Sequence, residues 1–490
     1  MTIEIMAIIP EIVLVCSGFL VLMLSVFMGK GFDRVAAPVS VAGLVASAVT
    51  IFIFNVGHLG SFFNMSFIVD KYSIFFRLFT IITAIIIVGL SSYYINGSII
   101  MKRNTGEFYF LILIVTTGTM LMSAVGDLIM LFISLELVSM PTYILAGYAK
   151  TNEKSNEASL KYFILGVLAS ALLVYGFSLI YGATGSISLV GIAGAIASGN
   201  LLAGNYLIIT GIIMAMIGFG FKIALAPFHF WAPDTYEGSP TIITTLITTI
   251  AKLAAFAGFI RFLYVGLNGF GKSLWIVLFI VVLSLLSMIL GNLMALPQKN
   301  FKRLMAYSSI AHGGYIMIAF AAATTGAQWA VFIYLMAYIL MNLGAFAVAM
   351  LVERGRDSEE IAAFAGLGQS NPFISICMII FLISMVGIPP FAGFLGKLFV
   401  FKTGIENNFT WLVIIAVITS VISLYYYANV IRQMYFTKYE GERSKLKVKT
   451  PVVYLAIISF CAVATILMVI IPFVFVGISQ GAVVAATGIQ

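Results

Sequence analysis

Apolar runs of about 20 residues, each long enough to cross the hydrocarbon core of a bilayer, recur along almost the whole chain. They fall at 8–28, 35–56, 72–94, 107–123, 125–147, 160–182, 205–226, 239–265, 274–296, 303–324, 328–352, 373–404, 410–436 and 451–476. Residues are 62% hydrophobic and 9% charged, against roughly 25% charged in a soluble domain. No soluble core hides that much apolar surface, so the solvent for these helices is lipid. The fold expected is an all-α polytopic membrane protein of about 14 transmembrane helices.

The net charge of +8 does not point to nucleic acid, because the basic residues are scattered between the apolar spans. Their distribution is topological. Seventeen of the 26 Lys and Arg lie in one set of alternating loops, including Lys30, Lys102, Lys150, Lys299, Arg354 and the 437–450 stretch TKYEGERSKLKVKT. Five lie on the other side: Lys71, Arg77, Arg261, Lys272 and Lys402. The positive-inside bias makes the first set cytoplasmic and places both termini on the outer side. The first span carries Glu4 and Glu11 rather than a basic leader, which reads as a retained helix. Cys16, Cys377 and Cys461 sit in apolar spans without metal or disulfide spacing. The 183–204 stretch reads as an uncharged outer loop, and no soluble domain is expected. Ser239-Pro240, Asn371-Pro372 and Thr450-Pro451 each have the form of an N-cap followed by proline at the first helical position.

Proline interrupts two long spans away from their ends, 205–236 at Pro227 and 373–404 at Pro389-Pro390. Broken helices in corresponding halves are a mark of inverted repeats in transporters. The implied organisation is a three-helix segment at 1–106, five-helix inverted repeats at 107–265 and 274–436, and a basic loop with a last helix at 437–490.

Within this frame a few ionisable residues stand out, since a charge at bilayer depth costs about 2.5–3.5 kcal/mol on insertion scales. Glu136, in LFISLELVSMPTYIL, is the one acid at the middle of a span; it suits a proton carrier or a switch for a lysine, or a structural carboxylate bonded to a neighbouring helix. Lys252 lies at the centre of TTIAKLAAFAG, too deep to snorkel. Burial favours the neutral form of such a lysine, so it can release and regain a proton near neutral pH; the plainer role is a fixed counter-ion. Lys222 lies about one turn before the break at Pro227, where freed carbonyls bind water and cations. Lys397 follows GIPPFAGFLG in the second broken helix, and snorkelling at a helix end is the simpler alternative for both. Lys161, in NEASLKYFILG, is either a lysine at the cytoplasmic edge or, if its helix begins near Asn152, one that reaches Glu136. His312, in YSSIAHGGY, is placed to relay protons between lysines or to be a satisfied core histidine. His229 lies in the turn beside the first break, and His58 in an outer loop. The aromatic and methionine content reads as packing and lipid contact. No haem, iron–sulfur, flavin or nucleotide signature occurs, so any redox chemistry belongs on another chain.

The segments SLELVSMPTYIL, ASLKYFILG, FKIALAPFHFWAPDTYEGSPT, AKLAAF, RLMAYSSIAHGGY and GIPPFAGFLGKLFVF, in this order across 107–404, resemble the subunit N family of respiratory complex I. These are antiporter-like membrane subunits of NADH-quinone oxidoreductase, also called subunit 2 in mitochondria and related to Mrp antiporter subunits. APFHFWAPDTYEGSPT is highly specific, whereas PPFAGFLGK is shared by the wider antiporter group. The resemblance implies a proton-pumping role within a multi-subunit oxidoreductase of the cell membrane. By the matching motifs, Glu136, Lys161, Lys222, Lys252, His312 and Lys397 occupy family positions. Lys397 occupies a position where this subunit type has lysine and some sister subunits have glutamate. The resemblance implies that NADH or another donor and quinone are used elsewhere in the complex, with no cofactor or metal bound by this chain. Its partners are then the other membrane and peripheral subunits, the lipid bilayer and protons. The long lateral helix of a sister subunit is not expected here. Two other readings stand beside this one: an Mrp-type cation/proton antiporter or membrane-bound hydrogenase subunit, and a membrane scaffold that only docks partners.

Overall fold

The computed structural model describes residues 2–96, 105–199, 204–267, 273–438, 450–473, 475–477 and 480. Lys102, Arg103, Lys272 and most of the basic 437–450 stretch lie outside the described residues. Seventeen helices carry the fold: α1 Thr2–Met28, α2 Ala36–Phe54, α3 Lys71–Asn96, α4 Thr105–Ser123, α5 Leu128–Ala146, α6 Glu153–Thr184, α7 Leu189–Ser198, α8 Gly204–Ile223, α9 Trp231–Gly238, α10 Thr241–Gly266, α11 Leu274–Ala295, α12 Phe301–Ala322, α13 Thr325–Arg356, α14 Pro372–Val386, α15 Ala392–Glu406, α16 Thr410–Phe436 and α17 Val452–Ile470. Thirteen of the described helices are long and apolar enough to span a membrane. Helices α14 and α15 together make the fourteenth span, broken at residues 387–391.

Helix ends follow local chemistry. The Asp127, Asn152 and Asn300 side chains cap α5, α6 and α12, accepting from the N–H groups of Met130, Lys154 and Arg303 at 2.6, 3.0 and 3.0 Å. The tight turn between α4 and α5 requires Gly126, because a Cβ there would fall 1.9 Å from the Met65 carbonyl oxygen. Pro372 takes the first turn of α14, but α10 and α17 begin one residue after Pro240 and Pro451.

Three features differ from the sequence reading. A short antiparallel hairpin, β1 Gly60–Phe62 with β2 Phe67–Val69, packs against the α4–α5 turn. The stretch at 183–204 is not simply a loop, since it holds α7, ended by Gly199 in the left-handed conformation. Arg77 and Arg261, counted with the loops, are instead buried: Arg77 pairs with Glu11 at 2.8 Å and Arg261 with Asp70 at 2.6 Å. Glu11, near the start of its span, is thus a buried acid that the search for mid-span charges did not single out.

Packing sorts the helices into a centre and a rim. The most apolar windows of α12 and α13 are wholly buried and that of α10 nearly so. Helices α1, α2, α6, α16 and α17 turn large apolar side chains such as Phe19, Phe52, Leu168, Val421 and Phe460 outward, as lipid-facing helices do. Lys252 on α10 thus lies in the interior by construction, whereas a lysine on α6 is placed by which side of the helix it occupies.

Candidate functional site

Two breaks and two central helices build the site. The first break follows α8, where Ala224 takes a left-handed φ of +64°, the Ala226–Pro227 bond is cis, and α9 resumes at Trp231. Lys222 on the last turn of α8 reaches across to α5, donating to the Ser139 hydroxyl at 2.7 Å and the Tyr143 hydroxyl at 2.9 Å. The Glu136 carboxylate stands 3.6 Å from its ammonium and accepts from Ser170 of α6 at 2.5 Å. Both side chains are largely buried, 7% exposed for Lys222 and 14% for Glu136.

The second break follows α14, at Gly387 with φ +92° and a cis Pro389–Pro390 bond. Lys397 on α15 donates to the Val386 carbonyl, freed by the break, at 2.7 Å and to the Ser420 hydroxyl of α16 at 2.6 Å. Its ammonium lies 4.6 Å from the centre of the Tyr315 ring, a cation–π contact. A Cβ on Gly387 would fall 2.7 Å from Lys397 Cδ, so glycine makes room for this side chain. A cavity of about 690 Å³ opens beside it between α15 and α16, with Phe394, Phe401 and Val417 on its walls and Lys402 and Glu406 farther along α15.

Between the breaks lie Lys252 and His312. Lys252 donates to the Ser309 carbonyl at 2.8 Å and faces the Tyr338 ring at 5.4 Å. The Ser309 and Tyr338 hydroxyls share a 2.8 Å hydrogen bond. His312, one turn beyond Ser309 on α12, bonds Tyr334 through Nδ1 at 2.7 Å and packs its ring against Tyr315 and Tyr338. Tyr315 contacts both His312 and Lys397, so polar and aromatic groups run without interruption from Lys252 to Lys397. From Lys222 to Lys252 the line is aromatic: Tyr143, Tyr162, Trp231 and Tyr236 touch in turn, and Tyr236 reaches Ser309 at 3.4 Å. Five of the six residues singled out from the sequence therefore fall on one connected line.

Lys161 is the exception. Helix α6 does begin at Glu153, yet the Lys161 side chain is 44% exposed and pairs with Asp234 of α9 at 2.8 Å and Glu157 at 2.6 Å, not with Glu136. Depth along a helix does not set the direction a residue faces; Ser170, on the buried side of α6, is the one that meets Glu136. His229 is buried in the first break against Phe230. His58 is exposed.

The sequence reading passed over the tyrosines and hydroxyls that connect the charges. Tyr334 and Tyr338 stand four apart on α13, and Ser309 and His312 three apart on α12, spacings that share a helix face. That pattern was available, but it is indistinguishable from ordinary packing until the facing helix is known.

The family model described as NADH:quinone oxidoreductase/Mrp antiporter, TM matches residues 125–423. The chain is 38% identical to a protein named NADH-quinone oxidoreductase subunit N from Trichlorobacter lovleyi, covering 98% of this chain and 97% of that one. It is 35% identical to a protein named F(420)H(2) dehydrogenase subunit N from Methanosarcina mazei, covering 98% of each. Among solved structures it is similar to a chain of respiratory complex I from Thermus thermophilus, at 29% identity and a TM-score of 0.80, over 96% of this chain and 100% of that one. The matched segment spans both broken helices and the line of residues between them, and the chain belongs to the NADH:quinone oxidoreductase/Mrp antiporter family of membrane subunits.

Proposed function

We propose that this chain is a proton channel of a redox-driven pump, a membrane subunit of a multi-subunit donor:quinone oxidoreductase. The observation that carries the reading is the interior line from Glu136 and Lys222 through Lys252 and His312 to Lys397, built from groups that accept and donate protons. Half-channels from the two membrane faces meet on this line. The Glu136 charge biases Lys222 between its charged and neutral forms, Lys252 and His312 pass the proton on, and Lys397 opens the outward route into its cavity. Two unit charges about 8 Å apart at an effective dielectric of about 20 interact by about 2 kcal/mol. That is about a 30-fold change in proton affinity, enough to move a proton between neighbouring sites. Lys161 serves at the entrance of this route, through its ion pair with Asp234 of α9.

The basic loops face the cytoplasm and both termini face outward. The two broken helices belong to inverted repeats at 107–265 and 274–436. Electron transfer takes place on other subunits, where NADH or a related donor and quinone bind; this chain holds no redox cofactor. Relatives named for NADH and for F(420)H(2) leave the donor to the partner subunits. An Mrp-type antiporter is less favoured, because relatives 35–38% identical over almost their whole length are named subunit N proteins.

The test uses the assembled complex in proteoliposomes, with electron transfer and pH-dye quenching followed together. Lys222→Ala and Glu136→Ala should each abolish most of the coupled pumping. Full coupling in both variants would reject the channel.

A further inference from the structure

Another largely buried carboxylate lies at the end of the bundle that carries the basic loops. Glu353 sits in the last turn of α13 and lines a cavity of about 640 Å³ whose rim includes Lys299, Arg303, Asp357 and Glu360. Its Oε1 accepts a hydrogen bond from the Tyr94 hydroxyl at 2.9 Å, and that hydroxyl in turn accepts from the Thr241 N–H at 3.2 Å. Its Oε2 and the Thr241 hydroxyl, both buried, face each other and have no other hydrogen-bond partner among the described residues. Buried polar atoms of this kind are rare and call for a partner. Lys302 stands close by, 2% exposed, bonded to Glu359 at 2.5 Å and to the Ser239 carbonyl at 2.8 Å.

Thr241 is also the foot of a ladder. On α10, Thr241, Thr245 and Thr249 follow one another at four-residue spacing, as do Thr244, Thr248 and Lys252, and positions four apart are neighbours on a helix. All five threonines are buried, and the Thr245, Thr248 and Thr249 hydroxyls donate to the carbonyls four residues back. A hydroxyl keeps two acceptor lone pairs and rotates freely, so each rung can accept a proton on one side and give one up on the other. Eleven residues separate Thr241 from Lys252, about 16 Å along the axis.

We infer that Glu353, held by Tyr94 at the mouth of α10, is the proton-loading residue for Lys252, with the threonine ladder as its conduit. The carboxylate takes a proton from water in the cavity and gives it to the ladder; at the far end the neutral Lys252 amine becomes ammonium, so one proton enters for each proton bound. Lys302 and Glu359 set the local charge beside the mouth. This rests on the channel reading above, from which its test is separable.

In the assembled complex in proteoliposomes, Glu353→Gln should cut pumping at least tenfold, and Glu353→Asp should restore part of it. Glutamine still accepts from Tyr94 but carries no transferable proton, so a purely structural Glu353 would leave Glu353→Gln near wild type. Asp357→Asn, on the rim of the same cavity, should pump normally. Lys252→Ala sorts the outcomes. If it stops pumping while Glu353→Gln does not, the loading role is overturned and the channel stands. If both pump fully, the channel reading falls as well. Loss of pumping in Glu353→Gln with unchanged subunit content of the complex supports the inference.

Discussion

The two broken helices hold their lysines in opposite company. Lys222 at the first break has a carboxylate 3.6 Å away and two hydroxyls in reach. Lys397 at the second break has a carbonyl, one hydroxyl and an aromatic face, with no carboxylate among its described contacts. At an effective dielectric of about 20, a charge 3.6 Å away is worth about 4–5 kcal/mol before desolvation is counted. In the proposed channel the first break would hold a charge, and the second would let one pass toward its cavity. The same geometric device, a cation beside an interrupted helix, acquires different roles from one neighbouring residue on another helix.

The contrast can be broken most forcefully at the second lysine. Lys397→Ala should reduce coupled pumping by about tenfold or more, since no other described cation contacts Val386 and Ser420 there. Combined with Glu136→Gln, its effect should add to that of the single variants. Lys222→Ala with Glu136→Gln should instead show a coupling energy of about 1–3 kcal/mol in a double-mutant cycle on pumping rates. Equal coupling in the two cycles would erase the distinction. Backbone changes sharpen it next. Gly387→Ala forces a Cβ against Lys397 in a left-handed conformation and should destabilise the assembled protein by about 1–3 kcal/mol by thermal unfolding in detergent. Ala224→Gly at the first break should change stability by less than about 1 kcal/mol, relief of the left-handed alanine being offset by the freer unfolded chain. The smallest effect belongs to Lys161→Ala. Its ion pairs are partly exposed, so stability should fall by about 0–1 kcal/mol, and pumping should stay within about twofold of wild type. A loss as large as that of Lys222→Ala would show that the entrance pair matters as much as the buried one.

Much of this molecule is legible in its residues alone. The spans read from hydropathy coincide with the helices because a bilayer demands about 20 apolar residues from every crossing. Both breaks lie where proline removes a donor from an apolar run. The hairpin at Gly60–Val69 and the helix Leu189–Ser198 escaped notice because they are short and lie between spans, where no periodicity accumulates. Glu11 with Arg77 and Asp70 with Arg261 escaped for another reason. Each lies near the end of an apolar run, where hydropathy assigns the surface, and only packing buries it.

Depth follows from the residues alone for the spans and their ends, and for ionisable groups at mid-span such as Glu136 and Lys252, because lipid imposes the same cost on every chain. Partnership depends on the packed helices. Glu136 belongs to Lys222 rather than Lys161, and His312 stands between Lys252 and Lys397, because those contacts depend on how each helix is turned about its axis. Apolar faces of near-equal hydropathy leave that rotation open. It is settled by the fit of many side chains at once, as where Gly218 of α8 lies against Leu173 of α6, and Tyr334 of α13 against Gly396 of α15.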